Sequence, residues 1–300
     1  MNSDNQQKIS TVYDGSTITF RMLRALGWGP QLLNLGYYGF SGIFTFLNMR
    51  PGYLLLSIRQ MALLAKTSKL LDLQPNDRVL DVACGRGQSS FYLSNLVQGL
   101  DVTGIDLLDE NIKVSQIIYN NTRGLQYEKA DAESTNYADN SFDKIMCLEA
   151  AFHFSNKQAF LDECSRILKP GGRLVVVDFC WKDASARDHV ETEQNNFVKA
   201  TWGYEDFYTK GEYLQSSTNS GFVLESLSDW TSKVTKPLLR QFNWLSKLGN
   251  NKWGRKLLAL SNDQVRLFSR ADWKAFAKSE SAHNSVHSDS LYLAFVWKKP

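Results

Sequence analysis

Between Asp77 and Cys180 the hydrophobic and polar positions keep changing period. Strand-like runs at 77–83, 101–106, 125–129, 142–147 and 173–179 alternate with helix-like stretches at 88–97, 110–121 and 158–167. Alternation with short connections predicts a parallel sheet with helices on both faces, where ligands sit at the carboxyl ends of the strands. Upstream, Pro51-Gly52 breaks the chain, and Tyr53 to Leu71 sets Leu54, Leu55, Ile58, Met61, Leu64 and Leu70 at helical spacing. Downstream of Cys180 the pattern changes. Residues 181–290 are dense in aromatics, and Leu291 to Trp297 then alternates like an edge strand.

The first strand candidate runs straight into Ala83-Cys84-Gly85-Arg86-Gly87-Gln88 and a helix start. Glycines there let a ligand lie against the backbone, and the free N–H groups opening the helix attract a polar group. On its own such a turn is also found in α/β proteins that bind nothing at it. Asp106 ends the next strand about 20 residues further on, where a carboxylate reaches the two hydroxyls of a ribose. Up to this point a nicotinamide dinucleotide fits equally well. However, Ser90 stands where a dinucleotide turn has its third glycine, and Asp81 adds a second acid that would welcome an ammonium group and repel a pyrophosphate.

The ordered set L-D-V-A-C-G-R-G (80–87), G-I-D (104–106), K-A-D-A-E (129–133), S-F-D-K-I (141–145) and L-K-P-G-G-R-L (168–174) resembles the class I S-adenosylmethionine-dependent methyltransferases. The resemblance implies a Rossmann-like α/β fold: a seven-stranded, mostly parallel sheet with helices on both faces, an N-terminal helical segment and a helical C-terminal cap insertion. It implies S-adenosyl-L-methionine as cofactor. Asp81, Ala83, Gly85, Gly87 and Gln88 would meet its methionine end, Asp106 and Leu107 the ribose, and Asp131, Ala132 and Glu133 the adenine, with Leu148 beside them. Gly36-Tyr37-Tyr38 is similar to a segment that folds over the cofactor in small-molecule methyltransferases, so Tyr37 and Tyr38 join the set. Tyr13-Asp14 stands out in the same way, and a hydrophobic staple under the N-terminal helices is the plainer reading of both. Gly221-Phe222 resembles the pair ahead of a sixth strand, Val223 to Leu227.

Methyl transfer to a hydroxyl needs a group to take the proton, and His153, just past the fourth strand, is the candidate base. Asp178, one strand further across the sheet, is expected to hold its tautomer, as a similar pair does in the natural-product O-methyltransferases that the chain resembles. Glu149 is the rival acid or base if the acceptor is an alkene carbon of a prenyl diphosphate, sterol or other isoprenoid. Arg21, Arg24, Arg50, Arg59, Lys236 and Arg240 neither establish nor exclude a diphosphate. His189, His283 and His287 are taken as surface residues. A methyltransferase fold that has lost catalysis and only binds is the non-enzyme alternative.

Composition narrows the partners. Thirty-four basic against 31 acidic residues leave a net charge of +3, too near balance for a nucleic-acid field. The expected partner is a small-molecule acceptor, with no nucleic acid and no integral membrane segment; a homo-oligomer is left open. Four cysteines without a C-x-x-C pair read as reduced thiols, and a polar N-terminus without an apolar signal core places the chain in the cytoplasm. Residues 31–57, rich in Leu, Phe and Tyr, read as a helical cap on the core or a segment touching a membrane surface. The expected organisation is a helical lid segment over 1–70, a cofactor core over 71–183, a substrate cap over 184–290 with a core strand near 221–228, and a final strand over 291–300. The cap is expected to close over the site.

Overall fold

The computed structural model of the chain describes residues 17–25, 32, 34–38, 52–189, 192–261 and 263–300. The expectations for Tyr13-Asp14, for Arg50 and for most of 31–57 lie outside the described residues. Eight strands form one sheet: β1 (Arg78–Val82), β2 (Asp101–Asp106), β3 (Leu125–Lys129), β4 (Phe142–Leu148), β5 (Leu168–Trp181), β6 (Tyr208–Thr209), β7 (Val223–Asp229) and β8 (Ser290–Lys298). The order is β3-β2-β1-β4-β5-β8-β7, and β8 alone runs antiparallel to its neighbours. These seven are the expected strands. The eighth, β6, is a two-residue strand beside the end of β5.

Three boundaries differ from the sequence expectation. β8 is no edge: it lies between β5 and β7 and is buried along nearly its whole length, because both of its faces are covered. β7 is the exposed edge instead. The strand expected over 173–179 begins earlier, at Leu168, where Gly171 at φ +77° donates its N–H to the Lys299 carbonyl at 2.8 Å.

Along β5 the two faces separate by alternation. Val175, Val177 and Phe179 pack with α2 (Gly52–Leu70), α3 (Gln88–Ser94) and the cap. Leu174, Val176 and Cys180 pack with α5 (Lys157–Ile167) and α8 (Lys210–Asn219) on the other side. All four cysteines are buried free thiols. A separate core joins α1 (Ile18–Ala25), α9 (Thr235–Asn250), α10 (Lys252–Ser261) and α11 (Arg270–Ser288) through Phe20, Phe242, Leu258 and Trp273. The N-terminal α1 therefore packs into the same core as the helices that follow β7. Between β5 and β6 lie α6 (Ala184–His189) and α7 (Thr192–Trp202), and α4 (Asp109–Tyr119) follows β2.

Gly104 shows how tightly the cofactor-side turn is packed. It sits opposite Asp81 in the β1–β2 register, and a side chain there would strike the Ser90 hydroxyl, the Tyr127 ring at 2.8 Å and Cys84 Sγ at 3.0 Å. Gly104→Ala should therefore cost about 1–3 kcal/mol of stability through overpacking. Urea unfolding checks this, and an unchanged midpoint would contradict the packing described.

Candidate active site

A cavity opens at the carboxyl ends of β1, β2 and β4. Two buried carboxylates mark its floor. Asp106 accepts the backbone N–H of Gly85 at 2.9 Å on one oxygen, and that of Leu108 at 2.9 Å and the Asn111 amide at 3.1 Å on the other. Asp81 accepts the hydroxyls of Ser89 and Ser90 at 2.5 and 2.6 Å, both on Oδ2. Burial pushes the Asp81 carboxyl up to about 6 against those hydroxyls, and raises Asp106 as well, in part offset by its amide donors. Two acids on one wall accept from hydroxyl and ammonium groups and repel a phosphate, which suits the ribose hydroxyls and ammonium of a sulfonium amino-acid nucleoside. Among the described residues no group of three His, Cys, Asp or Glu is placed to hold a metal ion.

The backbone is strained where it enters the cavity. Ala83, directly after β1, and Glu149, directly after β4, have φ of +56° and +52°. Left-handed non-glycine residues cost on the order of 1–3 kcal/mol and cluster at ligand sites. The Glu149 carboxylate is held by the Leu35 N–H, at 3.0 and 3.2 Å to its two oxygens, and by a short bond from the Tyr292 hydroxyl. Burial nevertheless pushes it up to about 8. It thus ties the 34–38 segment down across the cavity.

Of the expected cofactor residues, Asp81, Ala83, Gly85, Asp106, Leu107, Asp131, Ala132 and Leu148 line the cavity together. Five do not. Gly87, at φ +84°, opens α3, and a side chain there would meet Ser115 and Tyr127 at 2.7 Å, so its role is packing. Gln88 turns to the Met61 sulfur at 3.6 Å, and Glu133 holds the Ser155 and Asn156 amides at 2.7 and 3.2 Å. Tyr37 packs edge-on against Trp230, while Tyr38 donates to Gln241 at 3.0 Å under the Arg59 guanidinium. From that segment it is Asn34 and Leu35 that reach the cavity.

The catalytic set divides. His153 and Glu149 both line the cavity, but Asp178 does not hold the imidazole. Asp178 is fully buried, accepts the Tyr213 hydroxyl at 2.5 Å, and leaves Oδ1 without a hydrogen bond. The cause is strand alternation. The Phe179 side chain faces the cavity, so its neighbour Asp178 faces α8 on the other side of the sheet. The Gly203 carbonyl takes the expected role, 3.1 Å from His153 Nδ1. A carbonyl only accepts, so Nδ1 carries the proton and Nε2 the lone pair.

His189 is exposed as expected, but His283 and His287 are not surface residues: both line the cavity. His283 Nε2 accepts a short bond from the Trp202 indole, and its Nδ1 donates to the Ser279 carbonyl at 2.6 Å. His287 lies against Phe179 and Phe207, with Nδ1 3.1 Å from the Ser290 hydroxyl. Burial lowers them to about 4 and about 3, so both are neutral. Their four-residue spacing, continued back to Ser279, was the available signal, since it sets all three on one helix face.

Three comparisons bear on this site. A methyltransferase-domain profile matches residues 80–176. The chain is 30% identical to phosphoethanolamine N-methyltransferase 3 of Arabidopsis thaliana over 182 residues, 59% of this chain and 35% of that protein. It therefore spans about a third of the length of that relative. It is 26% identical to the 2-methyl-6-phytyl-1,4-hydroquinone methyltransferase of Synechocystis over 230 residues, 73% of this chain and 70% of that one. The geranyl diphosphate C-methyltransferase of Streptomyces coelicolor superposes with a TM-score of 0.68 over 99% of this chain and 98% of its own, at 16% identity, and shares the fold. The domain match agrees with the methyltransferase reading that the sequence motifs implied.

Asp178 gives a test of the buried wall. Desolvation raises it to about 7, against an unfolded value near 3.9. A raised carboxyl is favoured by folding while protonated, so its contribution is complete below pH ~4 and lost as pH rises towards 7. Asp178→Asn does not titrate. Its melting temperature relative to the parent should therefore rise from pH 4.5 to pH 7.5, and a constant difference would contradict the burial described.

Proposed function

We propose that this chain is a class I S-adenosylmethionine-dependent methyltransferase whose acceptor is a neutral, largely apolar small molecule methylated on a hydroxyl, with His153 taking the proton. When bound, S-adenosylmethionine supplies an electrophilic methyl group. The reading rests chiefly on His153, whose Nδ1 is held by the Gly203 carbonyl at the cavity wall, which leaves Nε2 as the proton-accepting nitrogen. The Gly203 carbonyl fixes the ring, and the Glu205 N–H, 3.0 Å from the Phe152 carbonyl, pins the following loop to the same turn.

The cavity wall decides the acceptor class. Beyond the two acids, Phe152, Phe179, Trp202, Tyr204, Phe207 and Phe242 surround the space, with the two neutral histidines. No Lys or Arg lines it among the described residues. A phosphorylated acceptor, as in the names of two of the relatives, would bring negative charge into an uncompensated apolar site. A phenol or aliphatic alcohol brings none. Aromatic walls exclude water, and placement against the cofactor supplies most of the rate.

A second reading, methylation of an alkene carbon, draws on Glu149, which stands in the same wall on strained backbone. Against it, burial pushes that carboxyl up, and the Leu35 N–H and the Tyr292 hydroxyl already occupy its oxygens. Transfer of labelled methyl from S-adenosylmethionine to a panel of phenols, alcohols and isoprenoid alkenes separates the two. His153→Ala should lower turnover on a hydroxyl acceptor by ~100-fold or more at unchanged S-adenosylhomocysteine affinity, while Glu149→Gln is milder. A fully active His153→Ala enzyme, or an enzyme that labels alkenes only, would end the preferred reading.

A further inference from the structure

Among the described residues, five of the twelve exposed large apolar side chains lie on one part of the cap. Trp253, Leu257 and Leu260 stand at i, i+4 and i+7 along α10 and are 72, 49 and 80% exposed. Leu267, 74% exposed, and Trp244 of α9, 43% exposed, belong to the same group of elements, since α10 packs against both α9 and the 263–267 turn. The opposite side of α10 buries Leu258 in the cap core, so the helix is held in place with its apolar stripe outward.

The charges around this stripe are predominantly basic. Residues 236–274 contain nine Lys or Arg and two Asp, a net +7 in a chain whose total is +3, so the remainder carries −4. Lys236, Arg240 and Lys247 share the Trp244 stripe of α9, spaced four, four and three residues apart, and all are exposed. Lys252 and Lys256 flank the apolar stripe of α10, and the Lys256 ammonium lies 4.9 Å from the Trp253 ring centre.

We propose that this face docks on an anionic lipid bilayer. A protruding Trp–Leu–Leu stripe flanked by lysines fits the boundary between acyl chains and headgroups: the apolar tips enter and the ammonium groups stay at the anionic surface. Leucines exposed to this degree give a nucleic acid nothing to bind, and a convex single-helix stripe lacks the groove of a peptide site. No described helix is long and apolar enough to cross a membrane, so the contact is peripheral. The position also suits an apolar acceptor. The inner side of α9 lines the cavity with Leu238, Leu239 and Phe242, and Leu239 also borders a shallow depression framed by Lys236 and Arg240.

Flotation of the full chain with phosphatidylcholine vesicles, with and without phosphatidylserine, tests the proposal. The protein should float with the phosphatidylserine vesicles and dissociate as salt rises. Trp253→Ala/Leu260→Ala and Lys252→Glu/Lys256→Glu should each weaken binding by roughly tenfold or more. Melting temperature should not change, because all four side chains are exposed. Absence of flotation, equal binding to neutral vesicles, or parental binding by either variant would overturn it. So would a chain that leaves the vesicles alone but runs as a dimer, reverting to monomer in Trp253→Ala/Leu260→Ala, which would assign the face to a second copy.

Discussion

A carboxylate removed from water must be hydrogen bonded or protonated, and Asp106 meets that demand with three donors from two different turns. The Gly85 amide comes from the turn after β1, while the Leu108 amide and Asn111 come from the start of α4. One buried charge thus fixes both cofactor-side turns relative to each other. Its partner Asp81 does the same for α3 through Ser89 and Ser90, and this arrangement fits only because Gly104 has no side chain to occupy the space. The strained Ala83 is the backbone consequence of bringing β1 to that point.

The acceptor side is built on a different principle. There the cavity wall is aromatic and histidine-bearing, and its polar side chains are each anchored within the protein: His283 between Trp202 and Ser279, His153 through Nδ1 on Gly203, Glu149 on Leu35 and Tyr292. Neutral, preorganised groups around an apolar space select by shape and by a few hydrogen bonds rather than by charge. One end of the cavity carries Asp81 and Asp106, while the other is mainly aromatic with Glu149 as its carboxyl, and this difference gives the site its polarity.

What the sequence made legible follows from how local each feature is. The strands, the glycine turn and the acids at the strand ends are set by neighbours in the chain, and Asp81, Gly85, Asp106 and Asp131 line one cavity. Asp178 was misplaced because a strand position says which residues share a face, but not which face meets the cavity. Alternation counted from Phe179 would have settled it. His283 and His287 were misjudged because α11 reaches the cavity only through the packing of the cap, which no short-range pattern records. Tyr37 and Tyr38 lie one turn of chain away from the residues, Asn34 and Leu35, that do the contacting.

We propose that Asp106 holds the ribose of the bound cofactor, which calorimetric titration with S-adenosylhomocysteine measures. Asp106→Ala should weaken binding by on the order of 2–3 kcal/mol, the worth of charge-assisted hydrogen bonds, in a chain that still unfolds cooperatively. The same affinity in Asp106→Ala as in the parent chain would contradict the account.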